Sequence, residues 1–143
     1  MPTGNIFHQA HKPLADLLPV VDAAQLLRLQ AVVRQVFVHP AMDQYIVRLV
    51  RATRNHAAVQ LGASPRGALA LYRTAQARAA IAGRTYVLPD DVQDLLQPVL
   101  AHRVLTTSHA RVRGKAVADI LAEVVAQTPV PVEESWSVED ADA

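Results

Sequence analysis

The stretch Gly62-Ala63-Ser64-Pro65-Arg66-Gly67 contains the residues of this sequence that are best suited to chemistry. Ser64 suits a helix N-cap, and Pro65 suits the first position of a helix. Arg66 then falls in the first turn, where backbone N–H groups lack partners and the helix dipole is positive. A guanidinium added to such an end makes a compact site for a phosphate group. Taken alone, the same residues also describe an ordinary helix start with an exposed arginine.

The helix after this motif is predicted to run from Pro65 to about Ile81, with Gly83 as its C-cap. Arg66 and Arg73 stand seven residues apart, so they share one face two turns long. Either both arginines are solvated or both face the same anionic site. A different face carries the apolar stripe, which is Ala68, Leu71, Tyr72, Ala75 and Ala79.

Two amphipathic helices are predicted before the motif. The first begins at a capping box of Asp22 and Gln25 and ends near His39-Pro40. Its apolar stripe is Leu26, Leu29, Val33, Val36 and Phe37. The second helix has a stripe that runs from Met42 to Thr53. Three arginines of the second helix form a face that is either solvated or turned toward a partner, and they are Arg48, Arg51 and Arg54.

Two more helices are predicted after the motif. One opens at Pro89, with two aspartates in the turn where the helix dipole favours acids, and Pro98 should kink or end it. The last runs from about Lys115 to Gln127. Residues 56–62 are predicted to form a loop, and residues 85–88 a short extended link. Residues 103–107 are predicted to form a short strand or extended segment. We therefore expect an all-α fold, a small bundle of about five helices with at most one or two short extended segments.

Length and composition agree with this expectation. The chain has 143 residues, enough for one domain with a core and too few for two ordinary ones. It is 51% hydrophobic but only 4% aromatic, which favours packed helices over a β-sandwich or barrel. The absence of cysteine excludes disulfides and thiolate metal sites. Because no apolar run approaches the roughly 20 residues of a membrane span and no signal-peptide pattern is present, we expect a cytoplasmic protein without membrane insertion.

The chain is expected to divide into three parts: an extended lead-in over 1–18, a helical domain over 19–128 and an acidic, disordered tail over 129–143. From residue 132 onward there are five acids and no base, so the rest of the chain holds all 14 bases against eight acids. Trp136 is either a tail aromatic or a docking residue. His8 and His11 have no further ligand nearby in sequence, so no metal site is expected there.

The sequence contains no set of residues that could complete a reaction. It has neither a Gly-x-x-x-x-Gly-Lys-[Ser/Thr] loop nor a Gly-x-Gly-x-x-Gly motif. Ser108 and His109 lack the context of a nucleophile elbow. Asp90 and Asp91 are adjacent on a predicted helix, so they point about 100° apart and make a poor catalytic pair. The best chemical feature is thus an arginine available to a phosphate that another domain holds.

Four blocks of the sequence, in order, resemble the C-terminal portion of MoxR-family AAA+ ATPases. They are residues 43–54 (DQYIVRLVRATR), 61–72 (LGASPRGALALY), 83–92 (GRTYVLPDDV) and 98–103 (PVLAHR). The segment that starts at Pro19 is similar to the beginning of the same region. The resemblance covers about residues 14–131.

This resemblance implies a helical lid that follows an α/β nucleotide-binding domain. In the family, the arginine of Gly-x-Ser-Pro-Arg is the sensor-two residue, which contacts the nucleotide phosphates and couples ATP state to lid angle. That role falls on Arg66, with Ser64 and Pro65 shaping the turn, and Arg73 is a further phosphate contact by extrapolation. ATP would be the cofactor of the intact ATPase, with magnesium held by the core domain, and no cofactor is expected to bind tightly to this chain alone.

The resemblance also implies partners. They are an AAA+ core domain in cis or in trans, other copies in a ring homo-oligomer, and von Willebrand factor A-domain proteins. Intact relatives are chaperone-like remodellers. The phosphate-binding loop, magnesium-binding acidic motif, sensor one and arginine finger of the family are not in these 143 residues. The chain is therefore either a fragment of a longer ATPase or the product of a gene that retains only the lid.

Two residues depart from the family pattern. Gly67 stands where a better helix former such as alanine is expected, which weakens the first turn by up to roughly 1 kcal/mol. Leu88 replaces the usual Thr or Ser cap before Pro89, at a similar cost.

Two other functions compete with the lid interpretation. The first is a stand-alone helical module that binds a protein partner without nucleotide. The second is a nucleic-acid binder that uses Arg48, Arg51, Arg54, Arg111, Arg113 and Lys115. The few aromatics, the near-neutral net charge of +1 and the acidic tail speak against the second, so no nucleic-acid partner is expected.

Overall fold

The structure of the chain, a computed structural model, describes residues 17–131. In order, its elements are α1 (Ala23–Arg34), α2 (Pro40–Asn55), β1 (Val59–Leu61), α3 (Pro65–Ile81), α4 (Pro89–Leu100), β2 (Leu105–Thr106), α5 (Ser108–Val112) and α6 (Val117–Gln127). The predicted all-α bundle is confirmed, with α5 as one more helix than expected. Most of the predicted lead-in and tail, with His8, His11 and Trp136, lies outside the described residues.

The core lies where α2, α3, α4 and α6 meet. The apolar stripe predicted for α2 is buried as expected, including Tyr45 and Leu49. Leu71 of α3, Leu96 of α4 and Leu121 of α6 complete the centre, each almost fully removed from water. Burial of one stripe from each helix is what drives a bundle of this kind to fold.

The first helix differs from its prediction. Its capping box is confirmed, because the Gln25 N–H donates to Asp22 Oδ1 at 2.6 Å and the Asp22 N–H donates to Gln25 Oε1 at 2.8 Å. However, α1 ends at Arg34 rather than near His39, and none of its residues is buried. Leu26 and Leu29 remain 48% and 54% exposed. The apolar stripe of α1 lines a groove beside α3 instead of entering the core.

The predicted loop 56–62 contains a strand. β1 pairs antiparallel with β2, with Val59 opposite Thr106 and Leu61 opposite Leu105. This pairing joins the segment that precedes α3 to the segment that follows α4. The extended link predicted over 85–88 also pairs, since the Phe37 N–H donates to the Thr85 carbonyl at 2.8 Å.

The ends of α3 and α4 follow from glycine and proline. α3 ends as predicted, with Gly83 at φ +74° and the Arg84 N–H donating to the Ala79 carbonyl at 2.9 Å, a Schellman motif. The prediction that Pro98 kinks or ends α4 was wrong about the end, because α4 continues to Leu100. A proline this close to the C-terminus removes only one helical hydrogen bond. A 3₁₀ turn, Ala101–Arg103, then leads toward β2.

Candidate functional site

The turn before α3 is tied to the end of α2 by a buried threonine. The Thr53 hydroxyl accepts a hydrogen bond from the Ala63 N–H at 3.0 Å and donates to the Val50 carbonyl at 2.7 Å. Thr53 and Ala63 are both fully buried. The same turn accepts a second bond, from Arg54 Nε to the Ala63 carbonyl at 2.8 Å. Arg54 is therefore more than part of a solvated face, because it helps to position the start of α3.

Gly62 allows this close approach. A Cβ atom at this position would lie 2.6 Å from Arg54 Cγ and 2.7 Å from both the Arg54 Cα and N atoms. Such distances are far inside van der Waals contact, and two of the three atoms belong to the backbone. The glycine of the motif is thus required by the packing of the turn against α2.

The first turn of α3 carries open hydrogen-bonding groups. Ser64 is the N-cap and Pro65 the first helical residue, as predicted. The Ser64 hydroxyl makes no capping hydrogen bond; the Ser64 carbonyl instead accepts from the Gly67 N–H at 2.8 Å. Within residues 17–131, the Arg66 N–H has no hydrogen-bond partner. A hydroxyl and a backbone donor are therefore free at this helix end, where an anion is favoured.

Gly67 lies against the end of α4. A Cβ atom on this buried residue would come within 3.1 Å of Leu100 Cδ2 and 3.9 Å of Arg103 Cδ. The departure from the family pattern noted above therefore has a packing reason, since the missing methyl group gives room to the Leu100 side chain. The Arg103 side chain, from the 3₁₀ turn that follows α4, also lies near this residue.

The two arginines predicted to share an anionic site lie in different surroundings. Arg66 is exposed and forms no ion pair with any carboxylate of the described residues. Arg73 is also exposed, but it lines the groove beside α1 that contains Leu26 and Leu29. Seven residues of helix separate the two Cα atoms by about 10 Å. Arg66 alone of this pair lies in the first turn of α3.

Comparison with known proteins assigns a family to this arrangement. A family model described as the AAA lid domain matches residues 51–124. The match begins near the end of α2, includes the turn before α3 and ends within α6. The chain belongs to the AAA lid domain family. The matched region includes Thr53, Gly62, Arg66 and the segment after α4.

The relatives of this lid are of the MoxR type. It is 39% identical over 123 residues to the uncharacterized protein YeaC of Bacillus subtilis (strain 168), covering 86% of the lid chain and 38% of YeaC. It is 38% identical over 100 residues to the chaperone MoxR1 of Mycobacterium tuberculosis, covering 64% and 26% of the two chains. A crystal structure named "putative ATPase" from Cytophaga hutchinsonii superposes with a TM-score of 0.73 at 26% identity, over 76% of the lid chain and 36% of that chain. The chain thus spans less than two fifths of the length of each of these relatives.

A buried ion pair fixes the end of α3 to the start of α4 in the lid. Arg84 donates from its two terminal nitrogens to the two oxygens of Asp91, at 2.7 and 2.6 Å. Asp91 is only 3% exposed and also accepts from the Leu88 N–H at 2.9 Å. This bond is one half of a capping box, and the Leu88 side chain has no oxygen to supply the other half. Burial raises the pKa of Asp91, but the hydrogen bonds from Arg84 and Leu88 and the charges of Arg84 and Arg78 outweigh it, and the pKa lies below its ordinary value.

Several other charged residues of the lid form contacts with one another. Lys115 Nζ lies 2.7 Å from Glu123 Oε1, and His56 Nε2 lies 3.0 Å from Glu123 Oε2, so α2 and α6 are joined at this point. Three of the six cations proposed for nucleic acid, Arg54, Arg111 and Lys115, are therefore held by contacts within the lid.

Two classes of site find no support in the part of the chain that the structure describes. Among residues 17–131, no three His, Cys, Asp or Glu side chains come together as metal ligands. Over the same residues, no helix is both long and apolar enough to cross a membrane.

Sequence reasoning missed three of the residues that build this site. Thr53 was predicted to belong to an apolar stripe, Arg54 to a face that is either solvated or turned toward a partner, and Arg103 was given no role. The available signal for Thr53 was a polar side chain at the end of a stripe of large apolar ones. Arg103 gave no such signal, because its position depends on how α4 packs against α3.

Proposed function

We propose that this lid brings Arg66 to the phosphates of ATP held by an AAA+ core domain, in cis or in trans. The lid would thereby couple ATP binding and hydrolysis to its own angle relative to that core. The observation that carries the proposal is that Arg66 is exposed in the first turn of α3 and has no carboxylate partner within residues 17–131. An arginine in the corresponding motif of the family is the sensor-two residue.

The groups around Arg66 fit a polyphosphate. The guanidinium can form two parallel hydrogen bonds to phosphate oxygens. The Arg66 N–H and the Ser64 hydroxyl, both without a partner in the described region, can add two more. Arg73 would be a more distant contact along the same helix. Magnesium would be held by the core domain, since residues 17–131 offer no cluster of metal ligands.

The packing of the lid explains how one contact could move the whole domain. The turn before Arg66 is bonded to α2 through Thr53 and Arg54, and α3 is bonded to α4 through Asp91. A force on Arg66 is therefore transmitted to three helices rather than to a flexible loop. Loss of the γ-phosphate would remove a contact of Arg66 and change the preferred angle of the lid.

The wider function is proposed from the relatives. MoxR1 of Mycobacterium tuberculosis is named a chaperone, and the corresponding role here is chaperone-like remodelling in the cytoplasm by a ring homo-oligomer. Von Willebrand factor A-domain proteins are the proposed partners of that ring.

Replacement of Arg66 by alanine in an ATPase that carries this lid tests the proposal. Removal of one such charge-stabilising group typically costs 10²- to 10³-fold in rate, so we expect the ATP hydrolysis rate to fall by about two orders of magnitude. Circular dichroism should show an unchanged fold, because Arg66 is exposed. The matched control is Arg28→Ala, which removes another exposed arginine, from α1. An unchanged hydrolysis rate in the Arg66 variant would refute the sensor assignment.

A further inference from the structure

A second arginine lies at the start of α3. Arg103 closes the 3₁₀ turn Ala101–Arg103 after α4, and its Cδ atom lies 3.9 Å from the position that a Cβ of Gly67 would occupy. Gly67 immediately follows Arg66. Two arginines that are 37 positions apart in the sequence thus both have atoms at the first turn of α3.

The Arg103 side chain is held along its stem and free at its tip. Its Nε donates to the Val99 carbonyl at 3.2 Å, which directs the side chain back along α4. Its two terminal nitrogens have no hydrogen-bond partner among residues 17–131, and no carboxylate there pairs with them. A guanidinium with an anchored stem has already lost part of its rotational freedom, so it loses less when it binds an anion.

The surroundings of the two arginines favour an anion. Arg66 and Arg103 are both cationic and lie at the positive end of the α3 dipole. Elsewhere in the lid, arginines near one another are paired with acids, as Arg78 and Arg84 are with Asp91. Arg66 and Arg103 have no such acid among residues 17–131, so an anion from outside the lid can take that place.

We infer that Arg103 is a second phosphate-binding residue of the lid and shares one polyphosphate with Arg66. This inference rests on the proposed function of Arg66 and names a further residue of the same site. Gly67 contributes by its lack of a side chain, which gives room to Leu100, the residue just before the 3₁₀ turn. The ligand class is a di- or triphosphate, because two separated guanidinium groups match an extended chain of phosphate oxygens better than a single one.

A purely structural role for Arg103 is the competing explanation. Its bond to the Val99 carbonyl could serve only to cap the C-terminal end of α4. That role predicts a loss of thermal stability in Arg103→Gln with no change in anion binding. The two explanations therefore differ in a binding measurement.

The experiment titrates the 143-residue chain with inorganic tripolyphosphate and follows amide chemical shifts by NMR at low ionic strength. The variants are Arg66→Gln and Arg103→Gln, with Arg28→Gln as the control for charge alone, because Arg28 is an exposed arginine of α1 and lies outside the first turn of α3. We expect the Gly67 amide to shift at millimolar ligand in the unchanged chain. We expect Arg66→Gln and Arg103→Gln each to raise the dissociation constant by about five- to tenfold and Arg28→Gln by less than about twofold.

The other outcomes separate the two claims. Weaker binding in Arg66→Gln with unchanged binding in Arg103→Gln overturns this inference and leaves the proposed function in place. Unchanged binding in Arg66→Gln overturns the inference, as does an unchanged chain whose Gly67 amide does not respond. Equal losses in all three variants show screening by net charge and also overturn it, whereas the proposed function is refuted by an unchanged hydrolysis rate in the Arg66 variant of the ATPase.

Discussion

The Thr53 hydroxyl accepts a hydrogen bond from the Ala63 N–H at 3.0 Å, across ten residues of sequence and inside the core. This contact joins the last turn of α2 to the turn that precedes α3. Because Arg66 lies three residues beyond Ala63, the position of the proposed phosphate contact is set by a threonine that would never touch the ligand.

Replacement of Thr53 by valine should release this turn. Valine keeps the shape but leaves the buried Ala63 N–H without a partner, which costs about 2 kcal/mol of unfolding free energy. Serine keeps the hydroxyl and loses a methyl group, at about 1 kcal/mol. Hydrogen exchange distinguishes them, since the Ala63 amide should exchange faster in Thr53→Val and remain protected in Thr53→Ser. Equal protection in both variants would contradict the role assigned to Thr53.

Replacement of Gly62 by alanine should be the most damaging glycine substitution in the lid. Its Cβ would lie 2.7 Å from backbone atoms of Arg54, so the turn must move away from α2 at a cost of about 3 kcal/mol. Gly114→Ala is the control, because Gly114 has φ +70° but open space around it, and its expected cost is about 1 kcal/mol. Urea unfolding measures both. A smaller loss for Gly62→Ala than for Gly114→Ala would show that the close approach to α2 is not rigid.

Asp91 should give the lid a marked loss of stability in acid. Its folded pKa is below its ordinary value, so the unfolded state binds the proton more tightly. The stabilisation is therefore fully present above about pH 4, the pKa of an unfolded aspartate, and is lost as the pH falls through the folded pKa. Unfolding free energy measured from about pH 6 to pH 2 should show this slope. In Asp91→Asn the unfolding free energy should be about 3 kcal/mol lower at neutral pH, and the part of the acid slope that Asp91 causes should be absent. An unchanged slope in this variant would mean that other carboxylates cause the loss of stability in acid.

The first helix should contribute little to the stability of the isolated chain. Leu29 is 54% exposed, whereas Leu71 is fully buried. Leu29→Ala should cost less than about 1 kcal/mol, and Leu71→Ala about 3 kcal/mol. Thermal unfolding of the two matched variants provides the comparison. Similar losses would mean that α1 is packed more closely than its exposure indicates.

The helices of the lid were largely predictable because their stripes are long. The boundaries of α3 match the prediction, and Ser64, Pro65 and Gly83 mark them through local chemistry that needs no tertiary partner. By contrast, β1, β2 and α5 have three, two and five residues. Segments this short show no usable period, and of the three only the region of β2 was predicted, as a short strand or extended segment over 103–107.

The errors over α1 have a different origin. Its amphipathic pattern and capping box gave the start of the helix correctly, yet its residues remain exposed because α1 packs beside α3 outside the core. A stripe predicts which side of a helix is apolar, and it does not predict how much of the helix a neighbour covers.

The candidate site could be predicted only in part. Ser64 and Arg66 follow from the hexapeptide, since N-cap chemistry and helix position are local properties. Thr53, Arg54 and Arg103 reach the same turn from other helices, so their contributions depend on tertiary packing. The need for glycine at position 62 also depends on tertiary packing, because a side chain there would collide with the backbone of Arg54.

The most direct test of the account compares ATP and ADP affinity for an ATPase that carries this lid, with and without Arg66→Ala. If Arg66 follows the γ-phosphate, the substitution should weaken ATP binding by roughly tenfold or more and ADP binding by less than about threefold. Equal losses for ATP and ADP would limit Arg66 to the phosphates that both nucleotides share. Unchanged affinity for both would contradict the central claim that Arg66 binds phosphate.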